Sequence, residues 1–292
     1  MRVANLPGVA SHAASGGLLA WWLLPTASHG AAWPPIMLAA AAAVLLCLAG
    51  NLLNDWHDQA WDAHHRPGRA LPSGHFRPST FLVLGMCGLL AGVALMFATG
   101  MLAGMAALFI AACVAIYTRL HKRALWTVVP LALCRATLPV MAAMAVVGSL
   151  PAGGDMAWWI IVAHATALFA WTCGLSLDAR GESTGDSAGP QAAPWFLLAA
   201  APLIPLPWLQ PLSQVAWIGL LPAAIWLVIV RGPLRHTAKQ RVSALLAGLP
   251  LLDLLVLLPA SQSTSGQPVW ILWLPLVAFA IGRGLQRIAA AT

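Results

Sequence analysis

Mostly apolar runs, each close to the roughly 20 residues needed to cross a bilayer, follow one another along the chain. They can be placed near 10–27, 33–54, 79–97, 100–117, 126–148, 156–177, 194–209, 213–230, 241–260 and 268–286. This succession predicts an all-α fold, a polytopic transmembrane helical bundle of about nine or ten spans. Composition agrees, because 60% of the 292 residues are apolar and only 8% are Asp, Glu, Lys or Arg. A water-soluble domain carries about a quarter charged residues, so there are too few charges here to cover a wet surface. The run near 194–209 is short and holds Pro202, Pro205 and Pro207, which leaves the count between nine and ten. The first run follows Arg2 and precedes Ala27-Ser28-His29-Gly30, as a signal peptide would. It is expected to be retained, because the chain continues as a multi-span protein. One integral-membrane domain is expected over residues 1–292.

The net charge of +7 does not indicate nucleic acid, because the basic residues sit in short loops between apolar runs rather than along one polar face. With the N-terminus inside, the inside connections hold Arg2; Arg66, Arg69 and Arg77; Arg119, Lys122 and Arg123; and Arg180. They also hold Arg231, Arg235, Lys239 and Arg241; and Arg283 and Arg287, which makes fourteen of the fifteen basic residues. The fifteenth, Arg135, lies within a span. The positive-inside rule therefore places both termini and the even-numbered loops in the cytoplasm. Cys47, Cys87, Cys113, Cys134 and Cys173 all fall in apolar runs with no CxxC pattern. They read as small buried hydrophobes.

Six of the eight acidic residues gather in two short segments. The first runs Asn54-Asp55-Trp56-His57-Asp58-Gln59-Ala60-Trp61-Asp62, and the second Asp178-Ala179-Arg180-Gly181-Glu182-Ser183-Thr184-Gly185-Asp186. Both lie at inside ends of spans. In each, polar ligands recur every four residues: Asn54, Asp58 and Asp62, then Asp178, Glu182 and Asp186. On a helix such residues form one stripe, about 6 Å apart along the axis. Stacked carboxylates repel beside a low-dielectric membrane unless a cation sits among them. Mg²⁺ fits, being a hard ion that takes a few carboxylates and completes its octahedron with phosphate oxygens and water. Arg66 and Arg69 follow the first stripe, and Lys122 and Arg123 lie in the neighbouring inside loop. An Asp-rich helix end can also be merely solvated, but two triplets of one spacing on one side favour a diphosphate site.

The first segment, with Arg66-Pro67-Gly68-Arg69-Ala70-Leu71-Pro72-Ser73-Gly74 after it, resembles the NDxxDxxxD…RPxRxxPSG signature of the UbiA superfamily of intramembrane prenyltransferases. Asp178, Glu182 and Asp186 resemble that family's second Asp-rich motif, and Tyr117, Lys122 and Arg123 its basic connection after the fourth helix. The similarity covers roughly residues 10–250. It implies a helical bundle around a central cavity, in which two Mg²⁺ ions bind an allylic isoprenyl diphosphate that ionises before an acceptor attacks. It implies Asn54, Asp58, Asp62, Asp178, Glu182 and Asp186 as metal ligands, and Asn54, Arg69, Lys122 and Arg123 as diphosphate ligands. Asp58, Asp62 and Lys122 would carry catalysis. Glu182 stands where Asp is commoner, and Ser187-Ala188-Gly189-Pro190-Gln191 lacks the usual Gly-x-x-Thr-Leu continuation. The apolar run near 241–260 and Cys134-Arg135 resemble the less characterised UbiA-like group called EboC.

Arg135 lies roughly 14 Å from the inside end of its span, at about 1.5 Å per residue, and Asp253 is mid-span. Charges that deep face a cavity or each other, so the two residues either pair or meet a substrate. His12 and His164 are expected to make hydrogen bonds between helices. Trp21, Trp22, Trp33, Trp158, Trp159, Trp208 and Trp270 lie near predicted outside ends, as interfacial belt residues do. The resulting expectation is a Mg²⁺-dependent prenyltransferase of the cytoplasmic membrane, with an isoprenyl diphosphate and a lipophilic acceptor as partners and no nucleic acid. The alternatives are a terpene cyclase or diphosphate-releasing hydrolase of the same type, and a non-catalytic isoprenoid or ion carrier. The longer DGxxAR…GxxxDxxxD pattern of CDP-alcohol phosphotransferases is absent.

Overall fold

Long apolar segments rich in Ala, Leu and Gly satisfy their backbone internally only as helices when water is excluded, and helices are what they form. A computed structural model describes residues 3–24, 32–121, 124–149, 155–183, 192–209, 215–232, 238–263 and 269–288. Among them there is no strand, and eight helical segments are long and apolar enough to cross a membrane. The helices are α1 (Leu6–Leu23), α2 (Trp33–His57), α3 (Gln59–His65), α4 (Pro78–Thr99), α5 (Met101–Leu120) and α6 (Val128–Val147). They continue with α7 (Met156–Ser183), α8 (Ala192–Ala200), α9 (Leu206–Leu209), α10 (Ala216–Arg231), α11 (Ala238–Gly248), α12 (Pro250–Ser263) and α13 (Trp273–Ile288).

Each of the ten apolar runs meets a helical segment. The Pro-rich run is broken, with α8 passing through a 3₁₀ turn at Ala201–Leu203 into α9, because proline removes a backbone donor and clashes with the preceding turn. Pro250 likewise divides α11 from α12. The α11–α12 segment is the most enclosed of the spanning segments, and α4 and α13 are among the least. Asp253 therefore sits in the middle of the bundle, not at its lipid face.

Close crossings hold the centre together. A Cβ on Gly16 of α1 would lie 2.1 Å from the backbone oxygen of Pro139 in α6, so only glycine permits this approach. Trp171 of α7 is fully buried, and its Nε1 donates to the Leu245 carbonyl of α11 at 3.0 Å. Trp21, Trp33 and Trp270 pack ring against ring (5.4 and 6.2 Å between centroids), as do Trp159 and Trp208 (5.6 Å). These contacts gather five of the seven expected belt tryptophans at the end of the bundle opposite the Asp-rich segments, whereas Trp22 and Trp158 are buried in the core.

Candidate diphosphate site

Helix α2 has 25 residues and α7 has 28. At about 1.5 Å per residue both exceed a ~30 Å hydrocarbon core, so their last turns project beyond it carrying the acids. Asp58 lies between α2 and α3 but does not interrupt the helical ladder. Its amide donates to the Asn54 carbonyl at 2.9 Å, the Asp62 amide to the Asp58 carbonyl at 2.9 Å, and the Arg66 amide to the Asp62 carbonyl at 2.8 Å. The four-residue spacing thus becomes one line of oxygen donors. All three are buried, with Asn54 and Asp62 each 2% exposed and Asp58 5%.

Basic groups meet these acids. Arg69 Nη1 donates to Asp62 Oδ2 at 2.7 Å and lies 3.7 Å from Asp55 Oδ1. The turn that brings it back runs from Arg66 to Gly74, where Arg69 N bonds to the Arg66 carbonyl, Ser73 N to that of Arg69, and Gly74 N to that of Leu71. Gly74 adopts φ +75°, a left-handed conformation that glycine takes without steric cost. His121, at the end of α5, places Nε2 3.2 Å from Asp58 Oδ2, while Asn54 Nδ2 donates to the same oxygen at 3.3 Å. The ring of Tyr117 stacks on His121 at 5.0 Å. Trp61 lies against His65, with centroids 4.0 Å apart, and beneath the Arg66 guanidinium.

On the second segment, Asp178 is 4% exposed and is held by Arg241 of α11, whose Nε donates to Oδ2 at 2.8 Å and Nη2 to Oδ1 at 3.3 Å. Arg180 turns the other way and pins the connection after α5. Its Nη1 donates to the Ala124 carbonyl at 2.9 Å, and its Nη2 to the His121 carbonyl at 2.8 Å and to Thr127 Oγ1 at 2.6 Å. These bonds bracket Lys122 and Arg123. Lys122, Arg123 and Asp186 lie outside the described residues, and Glu182 belongs to α7 with its side chain outside them.

The structure therefore gathers Asn54, Asp58, Asp62 and Arg69, and it adds His121 and Arg241 to the residues expected from sequence. Both additions come from other spans, where spacing along α2 or α7 carries no information. Arg241 stood among the inside basic residues, so its end of the bundle was readable although its partner was not. Among the described residues no three His, Cys, Asp or Glu side chains are arranged to hold a metal ion by themselves. The acids are instead spaced along helices, each beside a basic group. The donor set nevertheless suits a hard cation, because Asn54 Oδ1 and Asp62 Oδ1 are buried with no hydrogen-bond partner. Asp178 fits less well, with both its oxygens engaged by Arg241.

Arg135 and Asp253 do not pair directly, because His12 stands between them. Its Nδ1 lies 2.9 Å from Asp253 and its Nε2 3.3 Å from Arg135 Nη1. Ser11 also donates to Asp253 at 2.5 Å, and His164 Nε2 lies 3.1 Å from it. The histidines thus join helices, as expected of them.

The UbiA prenyltransferase family model matches residues 15–244, and the chain belongs to that family. No curated protein matches the sequence. The fold is that of the apo structure of a UbiA homolog from Aeropyrum pernix K1, with a TM-score of 0.70 and 17% identity over 88% of this chain and 98% of that one. A structure described as giving structural and mechanistic insights into the biosynthesis of digeranylgeranylglyceryl phosphate synthase in membranes aligns with a TM-score of 0.55. It is 16% identical, over 89% of this chain and 98% of that one.

Proposed function

We propose that the protein is a Mg²⁺-dependent intramembrane prenyltransferase that moves an isoprenyl group from an allylic polyprenyl diphosphate to a lipophilic acceptor. The observation that carries this reading is the buried line Asn54, Asp58 and Asp62, with two of its oxygens lacking any partner. A buried polar atom left unsatisfied costs about 1–3 kcal/mol, and a hard divalent cation is the ligand that answers carboxylate and amide oxygens together.

Asn54, Asp58 and Asp62 would hold Mg²⁺, together with Glu182 and Asp186. When bound, the metal neutralises the charge that develops on the departing diphosphate. Arg69 spends one of its N–H groups on Asp62 and keeps others for phosphate oxygens. Lys122 and Arg123, flanked by the contacts of Arg180, supply further positive charge where the leaving group forms. Asp178 serves mainly to hold the Arg241 guanidinium at the site. The apolar bundle beneath accepts the prenyl chain and keeps water from the allylic cation. The distribution of basic residues supports a cytoplasmic orientation for this end.

Binding of a non-ionisable allylic diphosphate analogue to protein in nanodiscs tests the reading. The expected result is binding that requires Mg²⁺, is abolished by EDTA, and falls by about tenfold or more in Asp62→Ala, which removes a charged ligand. Equal binding with and without Mg²⁺, or by parent and variant, contradicts it.

A further inference from the structure

The charged network in the middle of the bundle takes no part in the diphosphate site. Asp253 of α12 receives Ser11 Oγ at 2.5 Å, His12 Nδ1 at 2.9 Å and His164 Nε2 at 3.1 Å, with Ser15 Oγ 3.3 Å away. Ser11, His12, Ser15, His164 and Asp253 are all buried, all but Ser11 fully. Arginine can only donate hydrogen bonds. The contact from Arg135 Nη1 to His12 Nε2 therefore fixes that nitrogen as the acceptor. His12 is then neutral, with its proton on Nδ1 facing Asp253. The positive charge of Arg135 is balanced by Asp253 only at second remove, across an imidazole.

Arg135 has five N–H groups, and its bond to His12 is its only hydrogen bond among the described residues. Its side chain remains partly accessible, unlike those of its partners. It stems from α6, which packs against α1, α2, α5 and α7, and it lies in the electrostatic neighbourhood of Cys47 on α2 and of Asp253. Its contact with His12 of α1 and its proximity to Cys47 of α2 direct the guanidinium towards the inner side of α6. Cys47, Asn51, Asn54 and Asp58 follow one another on α2 at intervals of four, three and four, which places them on one helix face. The face that carries the oxygen line continues inward past Asn51, whose Nδ2 donates to Cys47 Sγ at 3.9 Å. Cys47 is seven residues from Asn54, about 10 Å along the axis.

We infer that Arg135, oriented by the His12–Asp253 pair, is a mid-membrane subsite for an oxyanion carried by a lipophilic ligand. The guanidinium presents a planar fork of donors that suits a carboxylate or a phosphate ester. Binding there adds one member to the chain of hydrogen bonds running from Arg135 through His12 to Asp253, and each member of such a chain strengthens its neighbours. Taken with the prenyltransferase reading, on which this role depends, the ligand is the acceptor. Its oxyanion rests on Arg135 while the rest of the molecule fills the ~10 Å rise towards Asn54.

The test uses full-length protein in nanodiscs and three probes of one shape: 4-hexylbenzoate, its methyl ester, and 4-hexylphenyl phosphate. Parent, Arg135→Gln and Arg135→Lys are compared, with thermal melting to show that each is folded. The inference expects an oxyanion probe to bind the parent at least about tenfold more tightly than the ester. That preference disappears in Arg135→Gln and is reduced in Arg135→Lys, which keeps the charge without the fork. A preference for the phosphate over the carboxylate assigns the oxyanion to a phosphate ester and supports the subsite equally. Equal binding of acid and ester, or an acid preference that survives in both variants, overturns it. The non-ionisable diphosphate analogue with Mg²⁺ is measured in the same samples and is expected to bind all three proteins alike. Its failure to bind the parent counts against the prenyltransferase reading and leaves the oxyanion comparison intact.

Discussion

Asp253 lies in the middle of a membrane bundle, where four side chains from α1 and α7 surround it and Arg135 stands one residue beyond. Removing one member of a buried charged network leaves the others uncompensated, at a cost of about 3–5 kcal/mol. Asp253→Leu is therefore expected to lower the melting temperature strongly. The double variant Asp253→Leu with Arg135→Leu should melt above Asp253→Leu alone, because it leaves no isolated charge. A double variant as unstable as the single one would show that the residues are not energetically linked. At the proposed diphosphate site the corresponding residue is Arg69, whose loss in Arg69→Ala strands the buried Asp62. Affinity for the diphosphate analogue should fall by about tenfold or more, with partial recovery in Arg69→Lys, as equilibrium binding would show.

At the scale of elements, α1 and α6 cross so closely at Gly16 and Pro139 that a single methyl group must force them apart. Overpacking of this kind costs about 1–3 kcal/mol, so Gly16→Ala should lower thermal stability measurably in the same nanodiscs. Arg180 joins α7 to the connection between α5 and α6 through three hydrogen bonds on either side of Lys122 and Arg123. Arg180→Ala is expected to reduce turnover by about tenfold or more while analogue binding through Asn54, Asp58 and Asp62 persists. A proportional loss of both would assign Arg180 a general structural part. The oxygen line of α2 was legible in the sequence because neighbours on one helix are related by spacing alone. The contacts His121–Asp58 and Arg241–Asp178 were not, since they join spans far apart in the chain. The same reason hides His12 between Arg135 and Asp253, although each of the three could be recognised singly as an ionisable group within the membrane.

At the scale of the whole molecule, the run of apolar segments gave the fold class, and the breaks fell at prolines, as chain stiffness and the missing donor require. Which helix occupies the centre was not readable, because α4 and the α11–α12 segment are both strongly apolar and differ in what surrounds them. The bundle brings the ends of α2, α5, α7 and α11 to one membrane edge, with the charged network well inside. That arrangement supports the proposed metal-dependent site at the membrane edge, and the central proposal is that this site cleaves an allylic diphosphate. The most direct measurement is diphosphate release from allylic diphosphates of several lengths by purified protein in nanodiscs, with candidate acceptors, in Mg²⁺ or EDTA. Parent, Asp58→Ala and Glu182→Ala are compared, and product mass is read alongside. Release that needs Mg²⁺, is abolished by both substitutions and leaves the prenyl group on the acceptor is the predicted result. Folded protein that neither releases diphosphate nor binds the non-ionisable analogue contradicts the account.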